Sequence, residues 1–249
     1  MSIFSINKKL GETPLETLDR LRVERPEYKE SSMTYAGRLD PMAEGLLLVL
    51  TDEDNTRREE FLKLDKEYEF DVLWGVETDT YDVLGKIVAT QIPAIFDKKD
   101  FAKMLEKYQG IYNQPYPPYS SQPVAGKPLF QWAREGRLGE IADKIPSKEI
   151  DIKKLEHVGD RRIITADLKE KIIGNIALVK GDFRQKEIAE LWQDFFAAHP
   201  STIFTFSTFR ATVTSGAYMR GLAHTFGRDL ECGAIALRIV RTRVGKYLI

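Results

Sequence analysis

Gly37-Arg38-Leu39-Asp40-Pro41-Met42-Ala43-Glu44-Gly45-Leu46-Leu47-Leu48-Val49-Leu50 runs from a turn into an apolar segment. Pro41 fixes its own φ and biases Asp40 away from helical geometry, so the carboxylate sits on a constrained loop. Such a loop can hold the carboxylate in one orientation, which a nucleophile needs. Taken alone, an Asp-Pro pair more often builds a turn in which the aspartate caps the next element. The apolar run over residues 43–50 predicts a buried strand.

Working outward, residues 14–25 place Leu15, Leu18, Leu21 and Arg22 at helical spacing, with Pro14 suited to a first turn. Residues 67–76 alternate Tyr68, Phe70, Val72 and Trp74, which predicts a strand. Residues 97–109 predict a helix with Phe101, Leu105 and Tyr108 on one face. Residues 113–128 hold five prolines and predict a long extended loop, followed by a short helix around Leu129, Trp132 and Ala133. Residues 148–165 read as strands. Residues 167–180 and 182–198 read as two amphipathic helices joined at Gly181, with Asp182 as N-cap and Phe183 on the inward face. Residues 202–214 return to β-rich composition, 218–230 form a helix, and the basic C-terminal stretch reads as strand or turn. Strands and helices do not alternate regularly, so the expected class is α+β.

The bulk numbers narrow the function less. With 249 residues, 43% hydrophobic, the chain can bury a substantial core. Its 37 basic residues face 38 acidic ones, so any nucleic-acid surface has to be a local patch. The single cysteine, Cys232, excludes a disulfide framework and a cysteine-based metal site, and reads as a small buried hydrophobe. His157, His199 and His224 show no ligand spacing, so neither metal nor cofactor is indicated. No secretory signal opens the sequence and no window approaches a membrane span, so a cytoplasmic location away from membranes is expected.

Further segments fall into order around the first. They are Asn7-Lys8-Lys9-Leu10-Gly11-Glu12-Thr13, Asp65-Lys66-Glu67-Tyr68, and Gly75-Val76-Glu77-Thr78-Asp79-Thr80-Tyr81-Asp82 with Gly85. Pro118-Tyr119-Ser120-Ser121, Gly126, Leu129-Phe130 and Ala133-Arg134-Glu135-Gly136 follow, then Ser215-Gly216-Ala217-Tyr218-Met219-Arg220 and Cys232-Gly233-Ala234. In this order they resemble the motifs of the TruB family of tRNA pseudouridine(55) synthases. The resemblance runs from about residue 6 to the C-terminus. It departs from the family pattern at Lys9, where the family has proline, at Tyr35, where it has histidine, at Arg38, at Pro123 and at Val240.

The resemblance implies a pseudouridine synthase fold, with a central, mostly antiparallel mixed sheet flanked by helices and long loops. It implies one catalytic domain over residues 1–249, a helical-hairpin insertion at about 165–204, and no C-terminal PUA domain. Asp40 falls on the family's essential aspartate, Tyr68 on the tyrosine that stacks on the target base, and Arg220 on the arginine that pairs with the aspartate. Ile239 falls on a residue lining the uracil pocket. Tyr35, Arg38, Lys66 and Tyr218 are expected around the substrate, as are Tyr119, Ser120, Lys127 and Arg134 of the loop and Arg241 of the basic terminus. The implied partner is RNA, most of all tRNA, bound by a monomer.

The chemistry agrees with that assignment. Pseudouridine formation breaks the N1–C1′ bond, rotates the base and rejoins it through C5, and a carboxylate can do this without a cofactor. A neighbouring guanidinium favours and orients the charged carboxylate. Flipping a base out of structured RNA costs a few kcal/mol, which aromatic stacking partly offsets. Plainer readings exist for each residue. A strand tyrosine such as Tyr68 fills a core, Arg220 is a solvated helix charge, Thr78 to Asp82 are turn chemistry, and His224 is packed or on a helix surface. Two other functions compete. One is an RNA-binding chaperone or assembly factor without turnover; the other is a glycosidase pairing Asp40 with Glu44.

Overall fold

In the computed structural model, which describes residues 3–92, 94 and 97–248, the apolar run is a strand, Ala43–Thr51, buried at every position but Glu44. In chain order the strands are β1 (Ile3–Lys8), β2 (Met33–Ala36), β3 (Ala43–Thr51), β4 (Lys66–Trp74), β5 (Val76–Thr78), β6 (Ile87–Thr90) and β7 (Gly110–Pro115). They continue as β8 (Pro123–Val124), β9 (Lys127–Pro128), β10 (Ser147–Ile164), β11 (Ile203–Val213), β12 (Ala234–Val244) and β13 (Tyr247–Leu248). The helices are α1 (Pro14–Glu24), α2 (Arg58–Leu62), α3 (Lys98–Tyr108), α4 (Leu129–Arg134), α5 (Thr165–Leu178), α6 (Gln185–Ala198) and α7 (Met219–Asp229).

The main sheet runs β1-β3-β12-β4-β11-β10-β7, with β2 beside β3 and β13 beside β12. Every pairing in it is antiparallel except the short β12–β3 contact, Ile239↔Ala43 to Arg241↔Gly45. The expected mixed sheet is therefore present. Alternation along β4 sends Tyr68, Phe70, Val72 and Trp74 to one face, under α3 and α7, and Leu73 to the other, under α5 and α6. In β12, Ala234 and Ala236 face α7 while Ile235 and Leu237 face the hairpin. A register shift between Ala236 and Arg238 then resets the alternation, and Ile239 joins the face that carries Tyr68.

Neighbouring antiparallel strands need only a tight turn between them. Here β10 and β11 pair up to Ile164↔Ile203, yet residues 165–202 leave and return at that point as the α5–α6 hairpin. Its apolar stripes bury Leu168, Ile172, Ile176, Ile188 and Trp192 against the sheet and the 76–84 segment.

Three expectations are corrected. Asp182 does not cap α6; Arg184 occupies the N-cap in the left-handed region (φ 62°), with no side-chain cap. Phe183 consequently precedes the helix instead of lying on its inward face. The stretch 113–128 is not wholly loop, because β7 pairs with β10 and β8–β9 make a two-residue ladder. Leu15 stays largely exposed while Pro14, Leu18 and Leu21 are buried, because it lies beside the stripe of α1 that faces inward.

Candidate active site

Arg220 sits on the second residue of α7, 3% exposed, an unusual place for a guanidinium. Its five donors explain how it is kept there. Nε donates to Asp40 Oδ2 at 2.8 Å, Nη1 to the Thr80 carbonyl at 2.9 Å, and Nη2 to the Tyr119 carbonyl at 3.0 Å. One side chain therefore ties together the Asp40 loop, the 78–85 turn and the proline-rich loop. Burial works against its charge, but Asp40 and Asp82 hold it firmly protonated. The solvated-arginine reading is excluded.

Each of the three segments is shaped locally. The Ala43 amide donates to the Asp40 carbonyl at 3.0 Å, closing the Asp-Pro turn. Gly45, at φ 105°, lets β3 approach β12: a Cβ there would lie 2.4 Å from the Arg241 carbonyl oxygen. In the second segment, Thr78 Oγ1 donates to the Asp82 carbonyl at 2.7 Å, and Asp82 Oδ1 accepts from Thr80 Oγ1 at 2.7 Å and the Leu84 amide at 3.0 Å. That is the turn chemistry expected of Thr78 to Asp82, placed directly behind Arg220. Burial, and to a lesser degree the charge of Asp40, push the Asp82 carboxyl up to about 6 against the pull of Arg220. In the third segment Tyr119 donates its hydroxyl to Asp79 Oδ2 at 3.0 Å. Burial and the charge of Asp79 push that phenol up to about 12.

These segments wall a cleft of about 590 Å³. Asp40, its side chain one-third exposed, Tyr68, Ile239 and Arg220 all line it. The three groups on which the sequence reading depends thus meet, although 180 residues separate Asp40 from Arg220. Tyr35, Arg38, Tyr119, Ser120, Arg134 and Tyr218 also line it. The Ser120 hydroxyl is buried with no hydrogen-bond partner among the described residues, which suits a ligand group arriving from the cleft. Tyr218 lies under the guanidinium, 5.5 Å from ring centre to Cζ, and burial with the charge of Asp40 pushes its phenol up to about 12.

Of the expected substrate contacts, Lys66 and Arg241 line the cleft with their charges held by backbone carbonyls, and Lys127 is corrected. Lys66 reaches the cleft wall, but its ammonium is buried on the Leu62 and Leu64 carbonyls, and burial and Arg241 lower it to about 8. Arg241 is 1% exposed and braces the Asp40 loop, donating to the Leu46 carbonyl at 2.7 Å and the Gly37 carbonyl at 3.0 Å. It lines the cleft from within the wall, and its neighbours Arg238 and Arg243 are ion-paired with Glu44, Glu69 and Glu67, so the basic terminus is no open phosphate patch. Lys127 lies outside the cleft, paired with Glu135 and 3.8 Å from the centre of the Trp132 ring. Glu44, held by Arg238, is not in the cleft, which removes the paired-carboxylate geometry. His224 is packed, as the plainer reading held, stacked on Tyr81 at 3.8 Å, with burial and Arg228 lowering it to about 4.

Three other residues were not singled out by motif reading. Lys8 is fully buried, donates to the Ala43 carbonyl at 2.5 Å, and is lowered by burial to about 8 although Asp40 favours its charge. Gln114 grips both backbone groups of Tyr218, donating to its carbonyl at 2.9 Å and accepting from its amide at 2.8 Å. Arg184 reaches Asp79 from the hairpin tip. Only proximity in space marks these; Lys8 alone lay within a quoted segment.

The sheet, its flanking helices and the buried arginine facing an aspartate in an open cleft define the class, a pseudouridine synthase. Residues 25–172 match the family model described as TruB family pseudouridylate synthase, N-terminal domain. The tRNA pseudouridine synthase B of Thermus thermophilus is 30% identical over 247 residues, covering 99% of this chain and 73% of that protein. Its Aquifex aeolicus counterpart is 26% identical, covering 98% and 68%. In fold the chain resembles a solved Cbf5-Nop10-Gar1 complex (TM-score 0.58, 16% identity), covering 99% of this chain and 49% of the matched one. The chain belongs to the TruB family of pseudouridylate synthases, which are isomerases. It spans about half the length of the solved chains it matches. Among the described residues no helix is long and apolar enough to cross a membrane.

Proposed function

We propose that the chain converts uridine to pseudouridine in tRNA, at position 55 of the T-loop, with Asp40 as the nucleophile. The observation that carries this reading is the 2.8 Å Arg220–Asp40 pair on the wall of an open cleft that Tyr68 and Ile239 also line. Arg220 takes one carboxylate oxygen, Oδ2, and so aims the group while Oδ1 can face the ribose or the base. Attack by the carboxylate accompanies cleavage of N1–C1′. The detached uracil turns between the Tyr68 ring and Ile239, C5 bonds to C1′, the carboxylate leaves, and the C5 proton is lost as N1 gains one. Atoms balance without any cofactor. Tyr68 supplies the stacking surface that offsets unstacking of the flipped uridine.

Residues 1–249 are read as one catalytic domain, since α7 and the hairpin pack on opposite faces of the same sheet, and the hairpin as an insertion between two strands that would otherwise need a tight turn. Asp40, Tyr68 and Arg220 all come from one chain, which supports action as a monomer, and a tRNA substrate supports a cytoplasmic site of action. Pseudouridine mapping in cellular RNA with and without the gene tests the substrate. Loss of one signal, in the T-loop, is expected. An unchanged map contradicts the reading, and loss at a uridine in another RNA keeps the chemistry but replaces the substrate.

A further inference from the structure

We propose that Arg184, at the tip of the α5–α6 hairpin, is a positioning residue for the Asp40–Arg220 pair. The inference rests on the isomerase reading above. Arg184 donates to both oxygens of Asp79, Nη1 to Oδ2 at 2.6 Å and Nη2 to Oδ1 at 3.3 Å. Its guanidinium lies 4.4 Å from the centre of the Tyr119 ring, whose hydroxyl donates to the same carboxylate. The two carbonyls that fix Arg220 belong to Tyr119 itself and to Thr80, the residue after Asp79. Arg184 therefore touches Tyr119, which supplies one backbone acceptor of Arg220, and Asp79, the residue before Thr80, which supplies the other.

Two further observations support the assignment. Arg184 adopts φ 62°, a conformation that is costly for a residue with a Cβ, while making no cap for its own helix. Its side chain is spent across the cleft wall, where the pair with Asp79 is about four-fifths buried on both sides. The same hairpin also grips the other end of the 79–86 turn. Trp192 Nε1 donates to the Val83 carbonyl at 3.1 Å, and Glu187 pairs with Lys86. Gln185 staples the tip itself, accepting from the Phe183 amide and donating to the Val179 and Gly181 carbonyls. The insertion thus works as a buttress behind the turn that presents Thr80.

Single-turnover rates, RNA affinities and melting temperatures of Arg184→Ala, Arg184→Lys, Asp79→Asn and the Arg184→Ala/Asp79→Asn double variant test this, on an unmodified tRNA transcript. Arg184→Ala is expected to slow the chemical step roughly 10- to 100-fold with RNA affinity little changed, the behaviour of a misplaced catalytic group. Arg184→Lys restores part of the rate, because charge returns without the two-pronged geometry. The double variant is no slower than the worse single variant. A wild-type rate in Arg184→Ala, a loss confined to RNA affinity, or additive losses in the double variant each overturn the proposal while leaving the isomerase reading intact. A wild-type protein that forms no pseudouridine overturns both. Should Arg184→Ala not fold, Arg184→Lys decides: a lowered rate at unchanged affinity upholds the proposal and a wild-type rate overturns it.

Discussion

Asp82 carries the cost of the site at the scale of a residue. It is buried beside Asp40, and its carboxyl stays protonated to about pH 6, against an ordinary value of 3.8. Between those values the folded chain binds more protons than the unfolded one, so this group's contribution to stability falls as pH rises through that window. Asp82→Asn lacks the titration. Urea denaturation across pH is expected to show the wild type losing stability relative to Asp82→Asn from about pH 4 to pH 6 and running parallel above it. A constant difference across the window contradicts the assignment. Charges at the cleft separate in the same way. Arg38 is exposed at the mouth, whereas Lys127 is paired outside it. Arg38→Ala is expected to weaken RNA binding and reduce the slope of log affinity against log salt by about one, a change absent in Lys127→Ala. Equal effects of the two on binding titrations contradict the placement. Asp40 was legible from its own Gly-Arg-Leu-Asp-Pro segment, whereas Tyr68 and Arg220 became candidates only through the ordered family motifs, a strand tyrosine and a helix arginine having plainer local readings. That carbonyls hold the charges of Lys66 and Arg241 is not legible in the sequence, for a physical reason. A cation in sequence shows its charge but not the carbonyls that will consume it, and only the fold brings those carbonyls near.

At the scale of elements, strands and helices followed their periodicities closely, while their ends and joints did not. The buried run of β3 and the alternation of β4 are local patterns, and burial of both faces of β3 and of the Tyr68 face of β4 follows directly. The bulge in β12 is different. It depends on how Arg238 and Ile239 meet Asp71 and Phe70 of another strand, and no local pattern announces it. Without that shift Ile239 would face the hairpin instead of the cleft. The hairpin was visible as two apolar stripes, but the start of α6 was misplaced because Asp182 has the chemistry of a cap and Arg184 does not. The energetic weight of the insertion rests on Trp192, fully buried and bonded to the Val83 carbonyl. Trp192→Ala is expected to destabilise the chain by about 3–5 kcal/mol, as large-to-small changes of buried aromatic residues do. A midpoint of chemical denaturation within error of the wild type would show that the hairpin does not share the core.

Across the whole molecule, the near-neutral charge and the function are compatible because the cleft is local. The C-terminal strand pairs Arg238 and Arg243 with glutamates, and an exposed arginine, Arg38, lies at the mouth. Topology does what no single segment can. The parallel β12–β3 contact seats Arg241 under the Gly37 turn, β4 brings Tyr68 beside β12, and α7 delivers Arg220 from the far end of the chain. The account stands on the carboxylate of Asp40 performing the chemistry in that assembly. Its most direct measurement is the rate of pseudouridine formation in an unmodified tRNA transcript by Asp40→Asn, alongside its affinity for the same RNA. The account predicts no detectable product with folding and binding close to wild type, because Arg220 keeps its two carbonyl partners; turnover by Asp40→Asn at the wild-type rate would contradict it.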